Sequence, residues 1–448
     1  MKLVAADLAK PAARVLELAG EKARLLDREW DASRGAPVFT VKGQYTTRGW
    51  TEWTQGFQYG LAILAFDGTD QRDLLEIGRS KTLQFMAPHV SNVGVHDHGF
   101  NNLSTYGNLR RLMREKRIKP DEWEMSFYEL AIKTSGAVQA ARWTTLADGG
   151  YIYSFNGAHS LFIDTIRSLR ILGLAHQLGH VLMGENDEKI SLLDRLIAHA
   201  KTTVKYNIYY GAGRDAYDTP AMRGRTAHEA IFNDGRFRCP SSQQGYSPFS
   251  TWTRGLAWAI LGLAEELEFL RSLSPAKRPD DVMELLEKAA KATADFYVEQ
   301  ATAADGIPYW DTAAPNLHRL GEWRTRNADP FNEHEPVDSS AAAIAAQGLL
   351  RLGRFMAGSG SRYTGAGLTV ARTLFGDAYL AQSMEHQGLL LHSVYHRPNG
   401  WDSIPAGRSV PCEESSMWGD YHAAELAVYI QRIAESRRPY YAFFDAGN

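Results

Sequence analysis

STWTRGLAWAILGLAEELEFLRSLSPAKRPDDVMELLEKAAKATADFYVEQ, residues 250–300, reads as two helices joined by one short turn. Leu256, Ile260, Leu263, Leu267 and Leu270 recur at spacings of four and three, as do Val282, Leu286 and Ala289. The intervening SPAKRP holds two prolines and two cations, the composition of a solvated turn. The result is a helical hairpin with helices near 250–271 and 280–302.

Working outward, the same periodicity places helices near 5–29, 50–67, 70–88, 99–117, 120–142, 158–182, 187–207, 337–357, 361–381 and 417–434. Strand-like alternation is scarce, so the fold class is all-α. Long links (30–49, 89–98, 143–157, 208–249, 303–336, 382–416) alternate strictly with short ones, and twelve helices therefore pair as six hairpins. If successive helices run antiparallel, all six long loops lie at one end and the short turns at the other. The expectation is an (α/α)6 barrel, a six-hairpin toroid with one elaborated face. It spans 1–448 as a single domain, because no Pro-rich or Gly/Ser-rich linker divides the chain. Loops this long in a compact domain are usually functional, and these are rich in Trp, His, Arg and Asp.

Composition excludes several function classes. The 448 residues carry 49 Lys+Arg against 52 Asp+Glu, a formal charge of −3 without a basic run, which argues against nucleic acid or an anionic membrane as partner. The apolar run Gly255–Ala264 stops at Glu265, far short of the roughly 20 residues of a membrane span. Asp7, Lys10, Arg14 and Glu17 interrupt the N-terminal segment where a signal peptide is apolar, so a cytoplasmic location is expected, or a periplasmic one if a signal precedes this sequence. With two cysteines, no HExxH, no GxGxxG and no phosphate loop, neither a metal nor another cofactor is expected. The expected assembly is a monomer or small homo-oligomer. Aromatic residues reach 11% and concentrate in polar segments, which suits a flat amphipathic ligand such as a sugar.

The long loops hold the candidate chemistry. SNVGVHDHGFNN sets Asp97 between His96 and His98 where a helix begins; an Asp there also serves as an N-cap. In FNGAHSLFIDTIRSLRIL, Asp164 occupies the second turn of the expected sixth helix among Leu161, Phe162, Ile163 and Ile166, a setting that demands a partner such as Arg167 or Ser168. A third segment carries His228 and Gln244 into a helix opened by Ser250 or Thr251, with Trp252 and Arg254 in its first turn. Arg254 works against the helix dipole there, so it calls for an anion, either a ligand or a structural carboxylate. Trp50, Trp53, Trp143, Phe155, Trp310 with Asp311, and HSVYHRPNGWDSIPAGR complete the set of loop aromatics and cations.

Several strings together resemble the unsaturated glucuronyl hydrolase family of glycoside hydrolases: WTQGFQYG at 53–60, HDHGF at 96–100, FIDTIRSL around Asp164, QGYSPFSTWTRGLAW at 244–258, PYWDTAAP at 308–315, VDSSAAAIAAQGLL at 337–350 and SSMWGDYHAAELA at 415–427. They run through nearly the whole chain in the family's order, and the family's fold is the same toroid. The resemblance implies an oligosaccharide substrate bearing a 4,5-unsaturated uronic acid, the product of polysaccharide lyases. It implies protonation of C4 and addition of water at C5, with Asp164 as general acid and base and Asp97 stabilising the developing cation. The acid is expected to need a raised pKa, from an apolar helix face and the second carboxylate. His228 and Gln244 would hold the substrate and its water, Trp252 and Arg254 would grip the C5 carboxylate, and Trp53, Phe155 and His96 would complete the sugar site. Two departures stand out: the polar run NNLSTYGNLRRLMREKRI after HDHGF, and Tyr153 or Phe155 where the family carries Trp. The loop with Arg397, Arg408 and Cys412 is expected to set tolerance for sulfate or the second sugar. Alternatives are an unsaturated rhamnogalacturonyl hydrolase, an inverting glycosidase using Asp97 and Asp164 on saturated glycosides, and a non-catalytic carbohydrate-binding module.

Overall fold

The computed structural model describes residues 3–48, 52–435 and 439–444; Trp50, one of the loop aromatics, lies outside them. Twelve principal helices occur among the described residues: α1 (Ala9–Glu29), α2 (Gln55–Thr69), α3 (Arg72–Phe85), α4 (98–114), α5 (Glu122–Ala141) and α6 (165–177). They continue with α7 (Leu192–Tyr206), α8 (Thr253–Ser272), α9 (Asp280–Phe296), α10 (Ser339–Phe355), α11 (Ser361–Leu374) and α12 (Met417–Ala434). Every expected helix is present, most within a few residues of its expected ends.

The even-numbered helices pack side by side in the order α2, α4, α6, α8, α10, α12, and α12 closes onto α2. The odd-numbered ones lie outside: α1 against α2 and α12, α3 against α2, α5 and α7 against α6, α9 against α8, α11 against α10. Burial follows from this placement. An outer helix has one covered face, as in α9, where Val282, Leu286, Ala289 and Ala290 turn inward. An inner helix is covered on all sides, and α2 is buried without interruption from Gln55 to Asp67. Among the described residues, no helix is long and apolar enough to cross a membrane.

The polar run after HDHGF finds its explanation here. It forms inner helix α4, whose Asn101, Asn102, Ser104, Thr105, Asn108, Arg110 and Arg111 are all buried. Such groups must be paired inside the ring. Asn101 Oδ1 accepts from Gly56 N at 2.8 Å, Asn102 Nδ2 donates to Ser135 Oγ at 2.8 Å, and Asn108 Nδ2 donates to Tyr421 Oη at 3.2 Å. A five-residue π turn, Leu103–Gly107, lies within the helix.

Among the described residues, nine short strands occupy the links, where the sequence reading expected almost none. Hairpins β1–β2 (Phe39–Val41, Gln44–Thr46), β3–β4 (Trp143–Leu146, Gly149–Ile152) and β6–β7 (Val181–Met183, Lys189–Ser191) are antiparallel pairs. A three-stranded sheet joins β5 (Ser160–Phe162), β8 (Glu229–Asn233) and β9 (Arg236–Ser241). SLFI at 160–163 is too short an apolar run for periodicity to tell strand from helix. It is a strand, so α6 begins at Thr165 and Asp164 sits at its N-cap position, not in a second turn.

The end of the ring opposite the long loops is tied by buried ions. Asp67, near the C-terminus of α2, receives Arg111 of α4 at 2.8 Å and Arg432 of α12 at 2.5 Å. Burial pushes the Asp67 carboxyl up, but Arg111 and Arg432 outweigh it and hold the group below its ordinary value. Asp67→Asn leaves Arg111 and Arg432 to share Glu115 alone and is expected to lower unfolding free energy by about 3 kcal/mol in a denaturant titration.

Candidate active site

Each inner helix starts at the long-loop face, so six helix N-termini converge there with their positive dipole ends. Between them opens a cleft of about 810 Å³, mouth included. Trp53, His96, Asp97, Phe155, Asp164, Gln244, Trp252 and Arg254 all line it, eight of the nine candidates. His228, the ninth, lies behind the wall at 3% exposure, its ring 4.7 Å from that of Trp252.

The two carboxylates are brought together by one close helix approach. Gly99 N donates to Ser168 Oγ at 2.8 Å, and a Cβ on Gly99 would stand 2.1 Å from Ser168 O. Only glycine lets α4 meet α6 so closely, two residues past Asp97 and four past Asp164. Neither acid serves its helix as a cap, since neither makes a side-chain cap hydrogen bond. Arg167 and Ser168, the local partners considered for Asp164, are engaged elsewhere. Arg167 pairs with Glu265 and Glu425, and Ser168 Oγ donates to Gln139.

His96 bridges the acids. Its Nε2 lies 3.3 Å from Asp164 Oδ1 and 3.8 Å from Asp97 Oδ1, and its ring rests against Phe155 and Phe162. It is 1% exposed, so it acts on the carboxylates more than on a ligand. Burial pushes Asp97 up to about 6, reinforced by Asp164 and opposed by His96 and Arg142. For Asp164 burial also acts upward, but His96, His228 and Arg254 together hold it below the ordinary carboxylate value. The expectation of a raised Asp164 is thus reversed in the free site, because the histidine's hydrogen bond goes to Asp164 and not to Asp97. His96 itself is lowered by burial and raised further by the two acids, with a net upward shift.

Arg254 has a structural anion. Nη1 donates to Asp338 Oδ2 at 2.8 Å and to Val394 O at 2.6 Å, while Nη2 donates to Gln244 Oε1 and Tyr395 O, both at 2.8 Å. Its guanidinium also lies over Trp252 and Trp418. The arginine therefore builds the wall, orienting Gln244 and the 394–395 backbone, and its charge is already balanced by Asp338. His228 Nδ1 accepts from the backbone N–H groups of Gln243 and Gln244 at 3.0 and 3.3 Å, which puts its proton on Nε2. Burial lowers its pKa to about 4, so the ring is neutral.

Phe155, not Tyr153, stands in the cleft; Tyr153 lies under the Arg142 guanidinium. Phe100 and Trp258, on inner helices α4 and α8, also line the cleft, and the 395–401 loop adds Tyr395, His396, Asn399 and Trp401. These were missed as individuals because nothing in sequence places residues 395–401 opposite residues 96–97. Other loop residues stay out of the cleft. Arg397 lines a neighbouring groove, Arg408 pairs with Glu333 at 2.9 Å, Cys412 is buried, and Trp310 donates its indole N–H to Glu335. Asp311 ties down the 246–250 turn through Tyr246 N and Ser250 Oγ, and Trp143 lies under Arg195. Among the described residues, no group of three or more His, Cys, Asp or Glu is placed to hold a metal ion.

Arg254→Met leaves Asp338 buried without its counter-charge, though still capping α10. It is expected to lower kcat/KM at least about tenfold and unfolding free energy by about 3–5 kcal/mol, read by steady-state assay and denaturant titration. A second expectation follows from Asp97. A buried acid with a raised pKa destabilises the fold once ionised, a cost absent below the unfolded value near 3.9 and complete above about pH 6. Asp97→Asn removes that cost, so its stability relative to wild type should improve by about 1–3 kcal/mol between about pH 4 and pH 7.5.

No family model matches the chain. Two curated proteins named unsaturated glucuronyl hydrolase are similar to it. That of Bacillus sp. (strain GL1) is 26% identical over 397 residues, 85% of this chain and 87% of that protein. That of Formosa agariphila is 23% identical over 384 residues, 84% of this chain and 78% of that protein. Among solved structures, an unsaturated glucuronyl hydrolase specific for heparin superposes with a TM-score of 0.72 at 20% identity, covering 96% of this chain and 98% of that one, a likeness of fold.

Proposed function

From its kinship with the unsaturated glucuronyl hydrolases, we propose that this hydrolase removes a 4,5-unsaturated uronic acid from the non-reducing end of lyase-generated oligosaccharides. The observation that carries the reading is the pair Asp97 and Asp164 facing one histidine nitrogen inside an aromatic-walled cleft. Six converging helix N-termini favour an anionic ligand such as a uronate, without any single arginine having to supply the charge.

The unsaturated uronate is an enol ether, and its hydration splits the sugar from its neighbour. Asp164, as the acid, gives its proton to C4; the C4=C5 electron pair forms the new C–H bond and leaves cationic character at C5. Asp97, ionised, stabilises that charge. Water adds to C5 and returns a proton to Asp164, and the resulting hemiketal opens and expels the next sugar. Asp164 is held ionised in the free site, so it must gain a proton when substrate enters. The substrate's own carboxylate and the expulsion of water both raise its proton affinity. Gln244 supports the proposal as a ligand-facing amide whose oxygen is committed to Arg254, leaving its N–H groups for the sugar. Neutral His228 offers Nε2–H from behind the same wall.

An inverting glycosidase needs carboxylates about 6.5–9.5 Å apart with a water between them. Here His96 Nε2 lies within 4 Å of one oxygen of each acid. The kinship with unsaturated glucuronyl hydrolases, not this spacing, favours the unsaturated substrate.

The ultraviolet absorbance of the conjugated C4=C5 bond tests the proposal. It is expected to fall during incubation with glycosaminoglycan-derived unsaturated disaccharides and to persist with Asp164→Asn, with a rate loss of at least about a hundredfold. Faster loss on pectin-derived substrates would assign a rhamnogalacturonyl hydrolase. Full activity in Asp164→Asn, or no loss on any unsaturated sugar, would refute the mechanism.

A further inference from the structure

The two acids at the base of the cleft are not equivalent, and His96 makes them differ. Asp164 takes the hydrogen bond from His96 Nε2. Asp97 stands beyond hydrogen-bond range of the same nitrogen, and among the described residues nothing donates to its carboxyl, although it is only 6% exposed and next to a second acid. A buried carboxyl without a donor is more stable protonated, whereas one that accepts from an imidazolium is more stable ionised. The ring that enforces this is clamped between Phe155, at 5.8 Å, and the edge of Phe162, at 5.6 Å. Its other nitrogen, Nδ1, is buried with no partner among the described residues. Among the described residues, the hydrogen-bonding and ring contacts of the imidazole are those to the two acids and the two phenyl rings, with no bond to Nδ1 holding it to one acid.

We propose that His96 is a positioning residue that partitions protons between the two acids, holding Asp164 ionised and leaving the exchangeable proton on Asp97 in mildly acidic solution until substrate enters, and then passing a proton from one to the other. The inference rests on the proposed hydration reaction. On substrate entry the Nε2–H bond breaks toward Asp164 Oδ1, and Asp164 becomes the acid that protonates C4. The vacated Nε2 lone pair takes the proton of Asp97, whose O–H bond breaks, so Asp97 becomes an anion as positive charge develops at C5. Water adding at C5 returns one proton to Asp164, and the site resets with no net gain or loss. One nitrogen thereby supplies both an acid and a counter-charge at the moment each is required.

The charged and titratable groups around the ring fit this role. Asp97 and Asp164 both raise its proton affinity, and Arg142, at the end of α5, opposes them. His98, His199 and His228 are each lowered by burial, to about 4, 3 and 4, so they stay neutral and do not compete for the proton. Arg254 acts on Asp164 in the same direction as His96, but its own charge is spent on Asp338.

Chemical rescue tests the proposal. His96→Ala opens a ring-sized space between Phe155 and Phe162. It is expected to lower kcat by about a hundredfold while KM changes less than about threefold. Added imidazole is expected to restore kcat, and to do so better near pH 6 than near pH 8, since imidazolium is the form that supplies a proton. A loss confined to KM, with no response to imidazole, would show His96 to be a substrate contact or packing group and overturn the proposal. A second measurement holds even if His96→Ala fails to fold. Heteronuclear NMR of the His96 ring should give a titration midpoint above that of ordinary histidine in wild type, falling in Asp97→Asn as well as in Asp164→Asn. An unshifted midpoint in Asp97→Asn would overturn the sharing. The NMR titration uses no substrate, so wild-type inactivity on unsaturated sugars would refute the proposed reaction separately.

Discussion

Closure of the inner ring is the constraint on which the rest depends. Because α12 packs back onto α2, the inner helices are covered along most of their length, and each buried polar residue on one must be answered by a neighbouring helix or by the loops above. On α4 this sets Asn101, Asn102, Asn108, Arg110 and Arg111 beside Leu103, Leu109 and Leu112, all buried. It puts Asp67 between two arginines at one end and leaves Asp97 and Asp164 beneath the open end with one histidine between them. The same closure aligns all six inner helices N-terminus outward. The cleft thus gains a positive character from backbone dipoles that needs no cluster of free cations.

Placement of charge follows one rule through the site: the cations that build the wall have their donors committed to protein oxygens, whereas the two acids at its base share one histidine. Arg254 is bound to Asp338, itself the N-cap of α10, so the arginine acts as a rigid bracket for Gln244 and the 394–395 backbone. Arg142 spends its donors on the carbonyls of Val93, Tyr153 and Ser154, which fixes the loops on either side of Phe155 and Asp97. Against that immobile frame, the Asp97–His96–Asp164 trio is the part whose protons can move. The frame fixes the backbone around the two acids, which suits the proposed reaction, in which Asp164 serves first as acid and then as base.

Much of this was legible beforehand, for identifiable reasons. Twelve helices and their pairing follow from apolar spacing and from link lengths, both local properties of the chain. Asp164 and Arg254 were recognisable because each breaks a local rule, an acid within an apolar run and a cation at a helix N-terminus, whereas Asp97, an ordinary helix-start acid, was singled out by the family resemblance. What local rules missed was SLFI, whose strand partners, Glu229 to Ile231, lie about seventy residues away, so that Asp164 moved from a helix interior to a helix start. They also missed the 395–401 wall, since Tyr395, His396, Asn399 and Trp401 meet the acids only once the ring has closed.

Sequence by itself determined the helices and their pairing, because periodicity and link length are read within a few turns of chain, and it offered Asp97 and Asp164 as candidate acids through the family resemblance. Only tertiary structure decided which acid holds the proton and what Arg254 is for. Both depend on partners far away in sequence: His96 is 68 residues from Asp164, and Asp338 is 84 residues from Arg254. A pKa is set by burial and by charges a few ångströms off, and neither is a property of the chain until the ring closes.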